Sequence, residues 1–220
     1  MQIIDRKIQI VAAVALIDVD GRILISKRPE NKYLGGLWEF PGGKLENTER
    51  AEDALIRELD EELNIDLSRV YASGYSNGGY LIYGLACRLS NKIAAVGSVA
   101  GTMLSSTLNN CAASAPIGVI NIHGTADYDV PYNGTTGLKS ATDVVNFWKD
   151  LNQSEIEEIS ENNGFNQYDY NDLNGDTYVR HFKIINGGHT WDDNIRYGGK
   201  SSSQIIWEFV SLFNLSGIIK

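Results

Sequence analysis

The sequence predicts an α/β protein in which a β-hairpin and one helix precede a parallel half-sheet with flanking helices. Three observations carry this reading. Two β-branched runs, at residues 8–17 and 22–27, meet at Asp20-Gly21, a hairpin-turn signal. Ala51, Leu55, Leu59 and Leu63 recur every four residues, which is a helical period. Beyond residue 65, short apolar runs at 69–73, 93–99, 117–123 and 178–185 alternate with helical stretches at 79–89, 140–151 and 203–213, the pattern of a buried parallel sheet.

Each element has local grounds. Arg6 and Lys7 before the first run imitate a signal peptide, but the run is too short to cross a bilayer, and the polar turn of residues 18–22 follows at once. A strand is therefore expected there. Gly35-Gly36 and Pro41-Gly42-Gly43 mark residues 32–45 as a loop with a short strand through 37–40. The helix over 49–63 has Thr48 as its N-cap, acidic Glu49, Glu52 and Asp53 in its first turn, and Asn64 as a left-handed stop. Residues 154–176, crowded with Asn, Asp and Glu, are expected to form a polar surface excursion with a turn at Asn174-Gly175. Phe147, Trp148, Trp207 and Phe209 fall on predicted helices and are expected to pack in the core.

Composition narrows the partners. With 220 residues, 43% of them hydrophobic, the chain suffices for one large or two small domains. Twenty-eight acidic against 19 basic residues leave a net charge of -9, so no general field draws in nucleic acid polymers or membranes, and a nucleotide would need a local cation. Cys87 and Cys111 are too few for a disulfide scaffold and lack zinc spacing. They are expected as buried small side chains, with a disulfide beside the active site as the alternative for a secreted protein.

Two constellations carry chemistry. Glu58, Glu61 and Glu62 stand at i, i+3 and i+4, which projects three carboxylates from one helix face and suits a hard divalent ion. Acidic helix faces are usually just solvated, but here the whole stretch reads Gly43-x5-Glu49-x7-Arg57-Glu58-Leu59-x-Glu61-Glu62-x-Asn64-Ile65. This resembles the box of the Nudix hydrolases, with Asn64 in the place of a glycine, and Leu37-Trp38-Glu39-Phe40-Pro41-Gly42-Gly43-Lys44 is similar to their MutT-like branch. The resemblance implies Mg or Mn held by Glu58, Glu61, Glu62 and the backbone carbonyl of Gly42 or Gly43, with Arg57 orienting Glu49. The implied reaction is cleavage of a nucleoside diphosphate derivative, for which Arg28 is the candidate local cation. Members of that family carry further strands and a closing helix after the box, where this chain has turned into something else.

The second constellation begins at Gly74-Tyr75-Ser76-Asn77-Gly78, a G-x-S-x-G turn between a predicted strand and a predicted helix, which is the setting of a nucleophile elbow. Such a serine needs a base and an orienting acid, each on a loop after a later strand. Of three histidines, His123 ends an apolar run and His181 lies within a predicted strand, so His189 in Gly187-Gly188-His189-Thr190-Trp191 is the candidate base. Asp127, just past the 117–122 strand, is the candidate acid, with Asp129 as its fallback. The backbone amide of Asn77 is the one oxyanion donor in view.

From about residue 65 onward the chain resembles polyhydroxybutyrate depolymerase-like or feruloyl esterase-like α/β hydrolases. The resemblance rests on Gly-Tyr-Ser-Asn-Gly-Gly, Ile-His-Gly-Thr-Ala-Asp, Val-Pro-Tyr and Gly-Gly-His-Thr-Trp, in that order. It implies an acyl-enzyme on Ser76, His189 as base, Asp127 as orienter, a small ester as substrate and no cofactor. The His-Gly oxyanion loop of such enzymes is missing, since no histidine precedes His123, and impaired activity is expected.

The sequence thus predicts a truncated Nudix-like region at 1–65 and the back portion of an α/β-hydrolase domain at 66–220. Serine ester hydrolysis is the leading function. Mg- or Mn-dependent Nudix hydrolysis is the alternative, and an inactive fusion is the third reading. A small-molecule ester or nucleotide, no nucleic acid polymer, no membrane and a cytoplasmic location are expected, with the oligomeric state open.

Overall fold

The computed structural model describes residues 11–13, 25–46, 49–51, 53–54, 56–57, 66–191 and 196–220. The chain divides into two compact units, Met1–Leu67 and Ser68–Lys220.

In the first unit β1 (Val11–Ala13) pairs antiparallel with β4 (Gly42–Lys44), and β2 (Ser26–Lys27) with β3 (Trp38–Glu39). The predicted strand at 37–40 is β3. Strand β4 corrects the loop expected up to residue 45: the Gly42-Gly43 pair, which reads as a breaker in isolation, lies in register with Ala13 and Ala12, whose backbone supplies the ladder. Ala51, Asp53, Ala54, Ile56 and Arg57 are helical as the leucine period predicts. Thr48, Asn64 and the Asp20-Gly21 turn lie outside the described residues.

The second unit is built on a six-stranded sheet in the order β5-β6-β7-β10-β9-β8. Strands β5 (Tyr71–Tyr75), β6 (Ala95–Val99), β7 (Gly118–Gly124) and β10 (Thr177–Ile184) are parallel, and they match the four predicted apolar runs. Helices α1 (Asn77–Arg88), α3 (Ala141–Asn152) and α4 (Ser202–Val210) match the three predicted helices, and a short α2 (Ser105–Asn109) joins them. The inner runs β6 and β7 are buried throughout because both sheet faces are covered there. Val96, Val119 and Val179 pack with Ile82, Tyr83, Val144 and Trp148 of α1 and α3, whereas Ile120, Ile122, Phe182 and Ile184 pack with Ile205, Ile206 and Phe209 of α4. Capping boxes at Ser140 with Asp143 and at Ser201 with Gln204 start α3 and α4.

Three further sequence expectations need correction. Residues 154–176 are not an irregular excursion: β8 (Ile156–Asn162) and β9 (Phe165–Asn171) form an antiparallel hairpin that extends the sheet. Every residue of β8 is exposed, so no apolar alternation betrayed it. The two-residue turn Asn163-Gly164, with Gly164 at φ 86°, is the signal that could have found it. The turn expected at Asn174-Gly175 is present, with Asp172 Oδ1 accepting from the amides of Asn174 (2.8 Å) and Asp176 (2.9 Å). Trp148 and Phe209 are fully buried, but Trp207 is 61% exposed, because α4 turns Ile205, Ile206, Phe209 and Val210 inward instead.

The third correction concerns the cysteines. Cys87 and Cys111 are joined in a disulfide rather than standing as separate thiols. The bond does not lie beside the candidate nucleophile, since Cys87 is three turns along α1 from Ser76, roughly 16 Å of helix rise. It closes a loop across 24 residues of sequence. Removing that cross-link from the unfolded chain is worth about 3.5 kcal/mol by loop entropy. The double variant Cys87→Ala, Cys111→Ala is therefore expected to melt roughly 7–14 °C lower by circular dichroism. No helix among the described residues is long and apolar enough to cross a membrane.

Candidate active site

The site forms where β5, β7 and β10 end along one edge of the sheet. Tyr75, Val99, Ile122 and Phe182 lie in one row of the ladder, so Ser76, Asp127 and His189 all follow the carboxyl ends of parallel strands. The Ser76 backbone has φ 53° and ψ -116°, a strained turn from strand into helix, and its amide donates to Val99 O at 3.0 Å. Glycine is required beside it, since a Cβ on Gly74 would fall 2.3 Å from the backbone of Gly78. Asn77 opens α1, so its amide belongs to the first turn, whose N–H groups lack helical acceptors.

Strand β10 is three places from β5 in the sheet, about 14 Å at normal strand spacing, so the His189 loop must fold back over the strand ends. It does so by packing on the loop after β7. Thr125 N donates to Ile184 O (2.9 Å), Ala126 N to Gly187 O (2.9 Å), and Asn186 N to Thr125 Oγ1 (2.8 Å). A Cβ on Gly124 would lie 2.1 Å from Gly187 O, so only glycine permits this approach. At the far end Tyr75 Oη donates to His189 O at 3.1 Å, with the two rings 4.9 Å apart. Burial first, and then the charges of Asp127 and Asp129, push the Tyr75 hydroxyl above the usual tyrosine range, which keeps it a donor.

Asp127 and His189 meet directly. His189 Nδ1 lies 2.9 Å from Asp127 Oδ2, which accepts, and this leaves Nε2 as the ring's basic nitrogen. The Asp127 carboxylate is fully buried and the His189 ring partly so. Asp127 Oδ1 accepts from the amides of Asp129 (3.0 Å) and Val130 (2.8 Å), which satisfies the buried charge. Asp129, the fallback acid, thus contributes its amide to Asp127. Ligand atoms of Asp127, Asp129 and His189 lie within 4.8 Å of one another, near enough to converge on one cation, but Asp127 and His189 already satisfy each other as acceptor and donor.

The remaining histidines are buried. His181 accepts from Tyr132 Oη at 2.8 Å and its Nδ1 faces Asn121 O at 3.3 Å; burial holds it down at about 3, so it is neutral and unsuited as the base. His123, which in sequence reads as the end of an apolar run, touches Asp127. Its position four residues ahead, in His123-Gly124-x-x-Asp127, is the signal that could have found it.

In the first unit Arg57 forks onto Glu49, with Nε to Oε1 at 3.2 Å and Nη2 to Oε2 at 3.1 Å, as the Nudix resemblance implies. This pairing holds the Glu49 carboxyl below its ordinary range, assisted by the Glu46 amide. Arg57 also donates to Lys44 O on β4. Arg28, the candidate nucleotide cation, is paired with Glu39 at 2.7 Å. Glu58, Glu61 and Glu62 lie outside the described residues. Of the implied metal ligands only Gly42 and Gly43 are described, both in strand β4.

Comparisons with known proteins divide along the chain. Residues 7–95 match the family model of the NUDIX domain. The 8-oxo-dGTP diphosphatase of Proteus vulgaris is 46% identical over 65 residues, covering 30% of this chain and 58% of that protein. The bifunctional acetylxylan esterase/xylanase XynS20E of Neocallimastix patriciarum is 28% identical over 181 residues, covering 82% of this chain and 25% of that protein. A probable feruloyl esterase C of Aspergillus clavatus is 36% identical over 86 residues, covering 39% of this chain and 30% of its own. Neither likeness stops at the boundary between the units: the Nudix match runs through β5 and α1, and 181 residues exceed the second unit. The chain spans between a quarter and about three fifths of the length of these relatives. The chain is thus similar to Nudix proteins over its first part and to feruloyl and acetylxylan esterases over much of the rest.

Proposed function

We propose that the second unit is a serine ester hydrolase working through an acyl-enzyme, with the functional boundary near residue 65. The observation that carries this is the 2.9 Å bond between buried Asp127 and His189 at the sheet edge where Ser76 occupies a strained elbow. In the reaction Ser76 Oγ attacks the ester carbon while its proton passes to His189 Nε2. The carbonyl oxygen becomes an oxyanion, which the Asn77 amide receives. The C–O bond to the alcohol then breaks, and the alkoxide takes the proton back from His189. Water, deprotonated by the same nitrogen, releases the acid and restores Ser76.

Asn77 supplies one oxyanion donor, and a site lacking the second would run about 10² to 10³ slower than a complete one. A small ester is the substrate this reading takes; the polyhydroxybutyrate depolymerase-like and feruloyl esterase-like motifs leave its acyl group open. The cytosolic location expected from the sequence is set against the Cys87–Cys111 bond, which favours an oxidising compartment.

Metal-dependent Nudix hydrolysis of a nucleoside diphosphate derivative is the second reading, favoured by the Arg57–Glu49 fork. A serine-directed fluorophosphonate separates the two. The purified chain is expected to gain one phosphonyl adduct, mapped by mass spectrometry to the Ser76 peptide, and to hydrolyse a p-nitrophenyl ester equally with and without chelator. An unlabelled chain whose only activity is magnesium-dependent release of phosphate products would overturn the esterase reading.

A further inference from the structure

Asp127 carries a second imidazole. His123, the penultimate residue of β7, is fully buried and places Nε2 2.8 Å from Val130 O and 3.4 Å from Asp127 Oδ2. A carbonyl oxygen can only accept, so Nε2 bears the proton. Nδ1 makes no hydrogen bond of normal geometry among the described residues, which suits the tautomer with its proton on Nε2. Burial, the largest effect, lowers the pKa of His123, while the Val130 carbonyl, the Asp127 charge and the Gly101 backbone pull the other way.

The chain of contacts closes on itself. The Val130 amide donates to Asp127 Oδ1, and the Val130 carbonyl accepts from His123. One N–H of His123 therefore fixes the turn that carries Asp127 and also faces the oxygen that holds His189. The His123 ring is wedged edge-on against Tyr132, with centroids 5.7 Å apart, and stands beside Lys183 in the β10 register. Its orientation is thus fixed by packing against Tyr132 in the loop after β7.

We propose that His123 is a positioning residue of the esterase site, whose Nε2–H aims Asp127 Oδ2 at His189 Nδ1. The inference rests on the triad reading above, but part of its test does not. His123→Gln keeps an N–H near the Nε2 position, His123→Asn moves it to the Nδ1 side, and His123→Leu removes it.

The Leu and Asn variants are expected to lose roughly tenfold to a hundredfold in kcat, with KM within about twofold of the parent, the penalty of a misaimed base. The Gln variant is expected to stay within about threefold. In proton NMR the far-downfield imidazole N–H of the His189–Asp127 bond should persist in the Gln variant and vanish in the Asn variant. That signal is read without substrate, so an inactive parent protein showing this pattern would refute the esterase reading and leave the positioning role standing. Should the Leu variant fail to fold, the Gln and Asn pair decides. Equal kcat in Gln and Asn variants of equal melting temperature, or a downfield signal retained in the Asn variant, would overturn the proposal.

Discussion

Ser76→Ala is expected to reduce ester hydrolysis by about 10⁴- to 10⁶-fold, down to the rate supported by binding and the Asn77 amide alone. The size follows from the role: without Oγ no acyl-enzyme can form, and His189 and Asp127 have nothing to deprotonate except water. The fold should be indifferent. Ser76 is half-buried, and its positive φ is set by the Ser76 N to Val99 O bond and by the close approach of Gly74 and Gly78, neither of which involves the hydroxyl. The check is a p-nitrophenyl acetate assay beside a thermal melt. Full turnover in the variant would remove Ser76 from the mechanism, and loss of the melt would make the elbow hydroxyl structural.

Asp127→Asn should cost roughly 10⁴ in kcat, and the geometry explains why so conservative a change is so damaging. Oδ1 of residue 127 must go on accepting the amides of Asp129 and Val130, which fixes the side-chain orientation. The new NH2 group then points at His189 Nδ1, which must turn acceptor, and the ring proton moves to Nε2. A ring protonated there cannot take the serine proton. Both turn amides keep their acceptor, so the melting temperature should change little. A variant of native stability with near-parental kcat would show that the Asp127–His189 bond does not orient the base.

Much of this was legible in the chain. The inner strands β6 and β7 announced themselves because both of their faces are buried, which leaves unbroken runs with few polar residues. The elbow and its two loops were readable because close approach demands glycine, at Gly74 and Gly124 among others, and glycine prints plainly. What stayed hidden depended on partners far away in sequence. Strand β8 pairs through its backbone while all its side chains face solvent, so its composition resembles a loop. Cys87 and Cys111 became a pair only when α1 and the segment after α2 packed together. His123 looked like the end of a core strand, and its contact with Asp127 required the tight 127–130 turn. The Nudix box shows the opposite case: its pattern is explicit in sequence, and the Arg57–Glu49 fork follows it, while its three carboxylates lie outside the described residues.

The stitching of the β7 and β10 loops by Thr125, Ala126 and Asn186 has a practical corollary for anyone reshaping this protein. Asp127 and His189 ride on a single fastened pair of segments, so neither loop can be exchanged by itself without unpicking the other. Loop grafts meant to alter substrate range would have to transplant residues 124–130 and 184–189 together, as one cassette.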